Sequence, residues 1–228
     1  MSNWSDNLAV FDLETTGIDV ETSRIVSATV AVLDADGVVL ERKDWLLDPG
    51  VEIPIQATNV HGITTAHAAE NGQDAAGGVG EIVAALRSHL ARGLPLVAYN
   101  APYDLTLLNR ESLRHDIAPL LAPSPVVDPL VIDKAVDRYR KGKRTLEVTS
   151  AFYGVLLEDA HDSGADAIAA GRVAQAIAKA HANTLPSTAE SLHTLQVGWC
   201  KQQAESFQDY MRRERDPQFV AAGGWPER

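Results

Sequence analysis

The chain has 228 residues, 45% of them hydrophobic and 22% charged, the profile of a soluble globular chain with ample core for one domain of ordinary size. Its formal net charge of -11 opposes broad, nonspecific adhesion to nucleic acid or an anionic membrane, although an acidic site reverses its local sign once it takes up divalent metal. The single cysteine, Cys200, leaves no disulfide framework or cysteine zinc site; the start lacks the basic and apolar regions of a signal peptide, and no apolar run approaches membrane-spanning length, so a cytoplasmic protein without membrane association is expected.

Leu8 to Phe11 reads as a buried strand that carries Asp12 and Glu14 at its far end. Side chains two apart on a strand share a face, so both carboxylates point the same way, with Leu13 opposite. Two like charges held together cost free energy unless a cation sits between them, and oxygen-ligand cations such as Mg²⁺ or Mn²⁺ suit such a pair. Thr15, Thr16 and Gly17 end the strand in a tight turn.

Arg24–Leu33 and Val38–Leu47 are strand-like runs around Asp34-Ala35-Asp36-Gly37, a hairpin signal. Asp48-Pro49-Gly50 and Pro54 mark an irregular crossing, after which Thr64 or Thr65 caps a short helix through Asn71. Val79, Ile82, Val83, Leu86 and Leu90 recur with a helical period, and Gly93 stops that helix. Leu94 to Tyr99 reads as a buried strand, Asn100-Ala101-Pro102 turns into a helix carrying Tyr103 and Asp104, and Val126-Val127 is a short strand. Asp128 before Pro129 is a strong helix start, a better reading of that acid than a fifth metal ligand. Lys134, Arg138, Arg140, Lys141, Lys143 and Arg144 form one positive segment, which is either a solvated helix end or a contact for phosphates. A helix from Thr145 follows, then His161-Asp162-Ser163-Gly164-Ala165-Asp166 opens an Ala-rich helix to about Ala182. Ser187 and Glu190 form a capping box for a last helix to about Glu214, with an apolar stripe of Leu192, Leu195, Trp199, Phe207 and Tyr210. The end of the chain is a poorly ordered tail unless Trp225 docks.

Phe11-Asp12-Leu13-Glu14-Thr15-Thr16-Gly17, then Asn100-Ala101-Pro102-Tyr103-Asp104, then His161 with Asp166 five positions on, resemble the three motifs of the DEDDh (DnaQ-like) 3′ to 5′ exonucleases, the family typified by the proofreading subunit of bacterial replicative DNA polymerase. The resemblance spans about Leu8 to Ala182. It implies an α/β, RNase H-like mixed five-stranded sheet flanked by helices, with a C-terminal helix added: an exonuclease domain over 1–183 and a helix and tail over 184–228. It implies that Asp12, Glu14 and Asp166 ligate one divalent ion, that Asp12 bridges to a second, that Asp104 acts through bound water, and that His161 is the general base. Val60, His61 and Tyr103 resemble positions that splay terminal bases, Asn100 resembles one near the terminal sugar, and Thr15 and Gly17 present polar groups to the terminal nucleotide. Asp162, directly after His161, departs from the pattern; it either raises the histidine's pKa or caps the helix.

The residues read independently agree on the chemistry: four carboxylates from separate segments suit two ions, Mg²⁺ or Mn²⁺, in an in-line phosphodiester displacement. The expectation is an exonuclease that releases nucleoside 5′-monophosphates from single-stranded or frayed 3′ ends, with DNA favoured over RNA and a DNA polymerase subunit as a candidate partner. The alternatives are an RNA 3′-end trimming exoribonuclease and a noncatalytic polymerase or nucleic-acid adaptor that works through the last helix.

Overall fold

In the computed structural model, residues 3–157 and 161–228 are described. Strands β1 (Leu8–Thr15), β2 (Ile25–Leu33) and β3 (Val39–Asp48) form an antiparallel meander. Its β2–β3 turn is closed by Asp34, whose Oδ1 accepts from the N–H groups of Asp36 and Val38. The chain then forms α1 (Ile55–His61), α2 (Thr65–Asn71), β4 (Gln73–Asp74) and α3 (Ala75–Ala91) before β5 (Leu96–Val97) enters parallel to β1. Helix α4 (Ala101–Arg114) crosses to β6 (Val126–Val127), parallel to β5, and α5 (Pro129–Val136), α6 (Leu146–Tyr153), α7 (Ser163–Ala180) and α8 (Ala189–Glu214) follow. The sheet order is β4-β3-β2-β1-β5-β6. The mixed sheet flanked by helices is present, with six strands rather than five. The sixth is β4, two residues beside the end of β3, too short to carry any alternation of side chains.

The two faces of β1 sort its residues by parity. Ala9, Phe11 and Leu13 enter the core beneath α3 and α4 with Val79, Ile82, Leu86, Leu105 and Leu108. Leu8 and Val10 face the other way, under Ala167, Ala170, Val173, Ala174 and Ile177 of α7. Asp12 and Glu14 continue that second row, so they emerge where the apolar cover of α7 runs out at its N-terminus. Helix α7 lies close because it is built of small residues; a Cβ on Gly171 would meet side-chain atoms of Val10 and Leu33 at 2.5 Å. Burial of a side chain such as Phe11 contributes about 1.5–3 kcal/mol, so the strand that carries the acids is anchored from both sides.

Two segments differ from the expectation, and the tail takes the docked alternative that the sequence leaves open. The crossing after β3 contains α1, started at Pro54 with φ -58°; it buries no residue and so shows no apolar stripe in the sequence. Helix α8 is capped by Thr188, whose Oγ1 accepts from the Ser191 N–H, not by Ser187. Its stripe is only partly covered: Leu192 is buried and Trp199 half-buried, while Leu195, Phe207 and Tyr210 are exposed. The tail docks. Trp225 is buried with its ring 4.9 Å from His193 on α8, Asn109 donates to Glu227 at 2.6 Å, and the Arg228 N–H donates to Thr106 on α4 at 2.8 Å.

The positive segment is neither wholly solvated nor wholly free. Asp133 of α5 is fully buried and is neutralised by Arg140 and Arg144, with a further hydrogen bond from the Tyr153 hydroxyl at 3.0 Å. Among the described residues no helix is long and apolar enough to cross a membrane.

Candidate active site

Glu14 from β1, His161 and Asp166 from the first turn of α7 offer ligand atoms that all lie within 4.8 Å of one another. Asp12 and Asp104 adjoin this cluster, close enough that the charges of Asp104, Glu14 and Asp166 all act on Asp12. Burial, with that repulsion added, holds the Asp12 carboxyl well above the usual carboxylate range. Glu14 is pushed up to about 8, first by burial and then by Asp166 and Asp104. Asp104, in the first turn of α4, also rises to about 8, because burial outweighs the favourable N–H groups of its own residue and of Leu13. Burial raises Asp166 as well, against the His161 N–H, which donates to its Oδ2 at 3.3 Å and favours the ion.

The remaining oxygen of Asp166, Oδ1, is buried and has no hydrogen-bond partner among the described residues. An unpartnered buried carboxylate oxygen beside Glu14, with neighbouring carboxyls all held toward the neutral form, is a site short of positive charge. Oxygen donors with one imidazole suit a hard divalent cation, so the residues fit one. His161 is exposed and sits at φ +73°, left-handed backbone that costs a non-glycine residue free energy and that gathers at functional sites. Asp162 caps α7 by accepting from the Ala165 N–H at 2.9 Å, which accounts for that acid.

The rim is assembled from the turn after β1. The Tyr103 hydroxyl lies 2.6 Å from Thr15 Oγ1 and donates to the Gly17 carbonyl at 2.5 Å, and burial pushes it up to about 12. His61, at the end of α1, lies against Thr15 and accepts the Ile63 N–H on Nδ1 at 3.1 Å; burial lowers its pKa. Val60 on the same helix is 51% exposed. Thr15, Gly17, His61 and Tyr103 are therefore brought together, and Val60 precedes His61 on α1. Asn100 takes left-handed backbone at φ +65° at the start of α4, its side chain makes no capping bond, and it lines a separate cavity with Pro102 and Asp128.

Two supporting devices were not foreseen. Asp128 caps α5 through Leu130, and the same buried carboxylate accepts from the N–H groups of Asn100 and Ala101, each at 3.0 Å, so it also fixes the start of the helix that carries Asp104. The sequence shows the first role through Pro129 but not the second, which depends on β5 and β6 lying side by side. Ser163, the first residue of α7, is hydrogen-bonded to Thr29 of β2 at 3.1 Å, and Thr29 donates to Asp44 of β3 at 2.7 Å. That chain seats Asp166 against the sheet and has no local sequence signal.

Comparison with known proteins places these residues in a wider set. The exonuclease family RNase_T matches residues 9–174. A PolC-type DNA polymerase III of Streptococcus thermophilus is 29% identical over 167 residues, 72% of this chain and 10% of that protein. A DNA polymerase III subunit epsilon-like protein of Rhodobacter capsulatus is 37% identical over 130 residues, 56% of this chain and 17% of that protein. The structure of E. coli exonuclease I in complex with a dT13 oligonucleotide superposes with a TM-score of 0.65 at 19% identity, covering 78% of this chain and 42% of that one. The chain thus spans about a tenth of the PolC-type polymerases it matches. The likeness to exonuclease I establishes the RNase H-like fold.

Proposed function

Because the chain belongs to the exonuclease family, we propose that it is a 3′ to 5′ exonuclease that hydrolyses single-stranded or frayed DNA to nucleoside 5′-monophosphates. The observation that carries this reading is the convergence of Glu14, His161 and Asp166, with Asp12 and Asp104 adjoining and one buried oxygen of Asp166 unpartnered. The polymerase names of the relatives favour DNA over RNA and leave a polymerase subunit as the candidate partner. Residues 1–183 form the catalytic part in this reading and 184–228 an accessory helix and tail, in a protein that works in the cytoplasm.

Asp12, Glu14, Asp104 and Asp166 would hold two divalent ions, Mg²⁺ or Mn²⁺. Bound there, such ions neutralise charge on the phosphate and on the attacking and leaving oxygens of an in-line displacement. The protein's own contribution is placement and proton transfer. His161, on its left-handed backbone with its N–H on Asp166, is the general base that takes a proton from the attacking water, since an imidazole suits that task near neutral pH. Thr15 and Gly17, tied down by Tyr103, meet the terminal nucleotide. Val60, His61 and the Tyr103 ring contact terminal bases through faces that every base can stack on, and Asn100 lies toward the terminal sugar.

The test is a time course on end-labelled DNA and on RNA of matched sequence with Mg²⁺, Mn²⁺ or chelator. DNA with a free 3′ end should shorten stepwise to mononucleotides, stop with chelator, and resist when its 3′ end is blocked. Internal cleavage of circular single-stranded DNA would refute an exonuclease. Faster attack on RNA would transfer the reading to exoribonuclease. A folded chain that binds DNA but turns over neither DNA nor RNA with either metal, and whose binding Asp12→Ala leaves unchanged, would leave the noncatalytic adaptor.

A further inference from the structure

Between α5 and α8 lies a groove of about 590 Å³ lined by Lys134, Arg138, Trp199, Phe207 and Tyr210 among others; among the described residues no carboxylate lines it, and Glu205 and Asp209 line the next cavity, beyond Arg138 and Tyr210. Lys134, Gln203 and Phe207 also line an adjoining cavity of about 290 Å³, together with Asn100 and Pro102 at the start of α4, Asp128, whose carboxylate is buried and bonded to backbone N–H groups, and Arg228 of the tail. The two cavities therefore adjoin along α5, a helix of 8 residues and so about 12 Å long, and the second reaches Asn100 and Pro102, the residues that lead in the chain to Tyr103. Its first wall, with Lys134, Arg138, Arg140 and Arg144, lies within the segment 9–174 that the family covers, while helix α8, which makes the second wall, lies beyond it.

Its chemistry is unusual for this molecule. In a chain of net charge -11, four cations converge here. Arg140 and Arg144 are committed to buried Asp133, while neither Lys134 nor Arg138 is ion-paired among the described residues. The last two residues of the α8 stripe, which its spacing alone would bury, are left open: Phe207 is 51% and Tyr210 45% exposed. These rings are on a firm base. Phe207 packs edge-on against Phe219 at 5.4 Å, and Gln203, one turn earlier, donates to the Val131 carbonyl at 2.9 Å.

We propose that this groove binds single-stranded nucleic acid on the 5′ side of the terminus being processed, its phosphates on Lys134 and Arg138 and its bases against Phe207 and Tyr210. Unpaired cations beside open aromatic faces are what a single strand requires. The reach of the second cavity to Asn100 and Pro102 favours a strand over an acidic peptide, which would have no reason to extend toward the residues that lead to Tyr103. The proposal rests on the reading above that a 3′ end is processed at the Glu14–His161–Asp166 cluster.

Fluorescence anisotropy with 5′-labelled dT3 and dT15 in chelator, on the full chain, tests it without any turnover. The wild-type protein should bind dT15 at least tenfold more tightly than dT3. Phe207→Ala should reduce that ratio by at least about fivefold, the loss of one stacked base. Arg138→Ala should make the salt dependence of dT15 binding shallower by about 0.7 in log–log slope, one phosphate contact, and Arg138→Glu should abolish the length dependence. Circular dichroism and thermal melting show whether each variant keeps its fold, and Lys134→Ala supplies an independent slope if one does not. Equal affinity for dT3 and dT15, or variants that weaken both alike, would overturn the groove; so would poly-glutamate binding that Arg138→Glu abolishes while dT15 binding is untouched. Degradation of DNA from its 3′ end without length-dependent binding would sink the groove and leave the exonuclease standing. Length-dependent binding without degradation in Mg²⁺ or Mn²⁺ would do the reverse.

Discussion

Glu14→Gln separates the cost of assembling the acidic cluster from its use. The Glu14 carboxyl is raised from 4.5 to about 8 in the folded chain. A folded-state value above the unfolded one means that the fold binds this proton more tightly. This group's contribution to stability is therefore fully present below about pH 4.5 and is lost as the pH rises to about 8. At about 1.4 kcal/mol per tenfold change, the loss at pH 8 is at most about 4 kcal/mol; water penetration and relaxation of the neighbouring acids reduce it to about 2 kcal/mol. Glutamine keeps the shape and removes the charge. In metal-free buffer at pH 8, Glu14→Gln should therefore be the more stable protein by about 2 kcal/mol, a rise in Tm of about 4–8 °C for a chain of this size. The gain should shrink below about 1 kcal/mol at pH 5, where the folded wild-type carboxyl is already neutral. Millimolar Mg²⁺ or Mn²⁺ should stabilise the wild type by mass action and Glu14→Gln far less, so that the order of the two melting curves closes or reverses. Differential scanning calorimetry at both pH values, with chelator and with metal, measures all of this. A Glu14→Gln chain that is less stable at pH 8 in chelator, or whose effect does not change with pH, would refute the electrostatic account of the cluster.

Further substitutions probe the parts around it. Asp133→Ala strands Arg140 and Arg144 in a buried place and should cost about 3–5 kcal/mol in urea denaturation. Asp128→Ala leaves the buried N–H groups of Asn100 and Ala101 without an acceptor; a loss of about 1–3 kcal/mol is expected, with kcat on end-labelled DNA falling more than KM changes, because the start of the helix bearing Asp104 shifts. Gly171→Val drives new atoms into Val10 and Leu33 and should cost about 2–3 kcal/mol, read from the urea midpoint.

The carboxylates and the histidine were legible because each sits beside a strong local signal. Asp12 and Glu14 end an apolar run, Asp104 follows a Pro-marked helix start, and Asp166 opens an Ala-rich helix. The fold class followed from the same signals, since strands separated by helices imply crossovers. What escaped was short, amphipathic in the wrong way, or dependent on distant pairing. The two-residue β4 has no period to read, and α1 buries nothing. The fate of Arg140 and Arg144 turns on Asp133, which looks in the sequence like any other helical acid but is sealed by Tyr153 and the two guanidinium groups. The second role of Asp128 and the Ser163–Thr29–Asp44 chain join residues far apart in sequence, and nothing local announces them. The stripe on α8 is legible as a pattern, yet its spacing does not tell that Leu192 finds a cover while Leu195, Phe207 and Tyr210 do not.

The parity of β1 ties the chemistry to the architecture more tightly than the list of acids suggests. A single-residue deletion between Leu8 and Asp12 would put Leu8 and the carboxylates on opposite faces of β1, so that either Leu8 leaves its packing against α7 or the carboxylates turn into the core beneath α3 and α4. Frame and function are thus locked together. A chain whose first strand has slipped has no well-folded but inert state to rest in, and its deletion variants should turn up among the insoluble products rather than among the inactive ones.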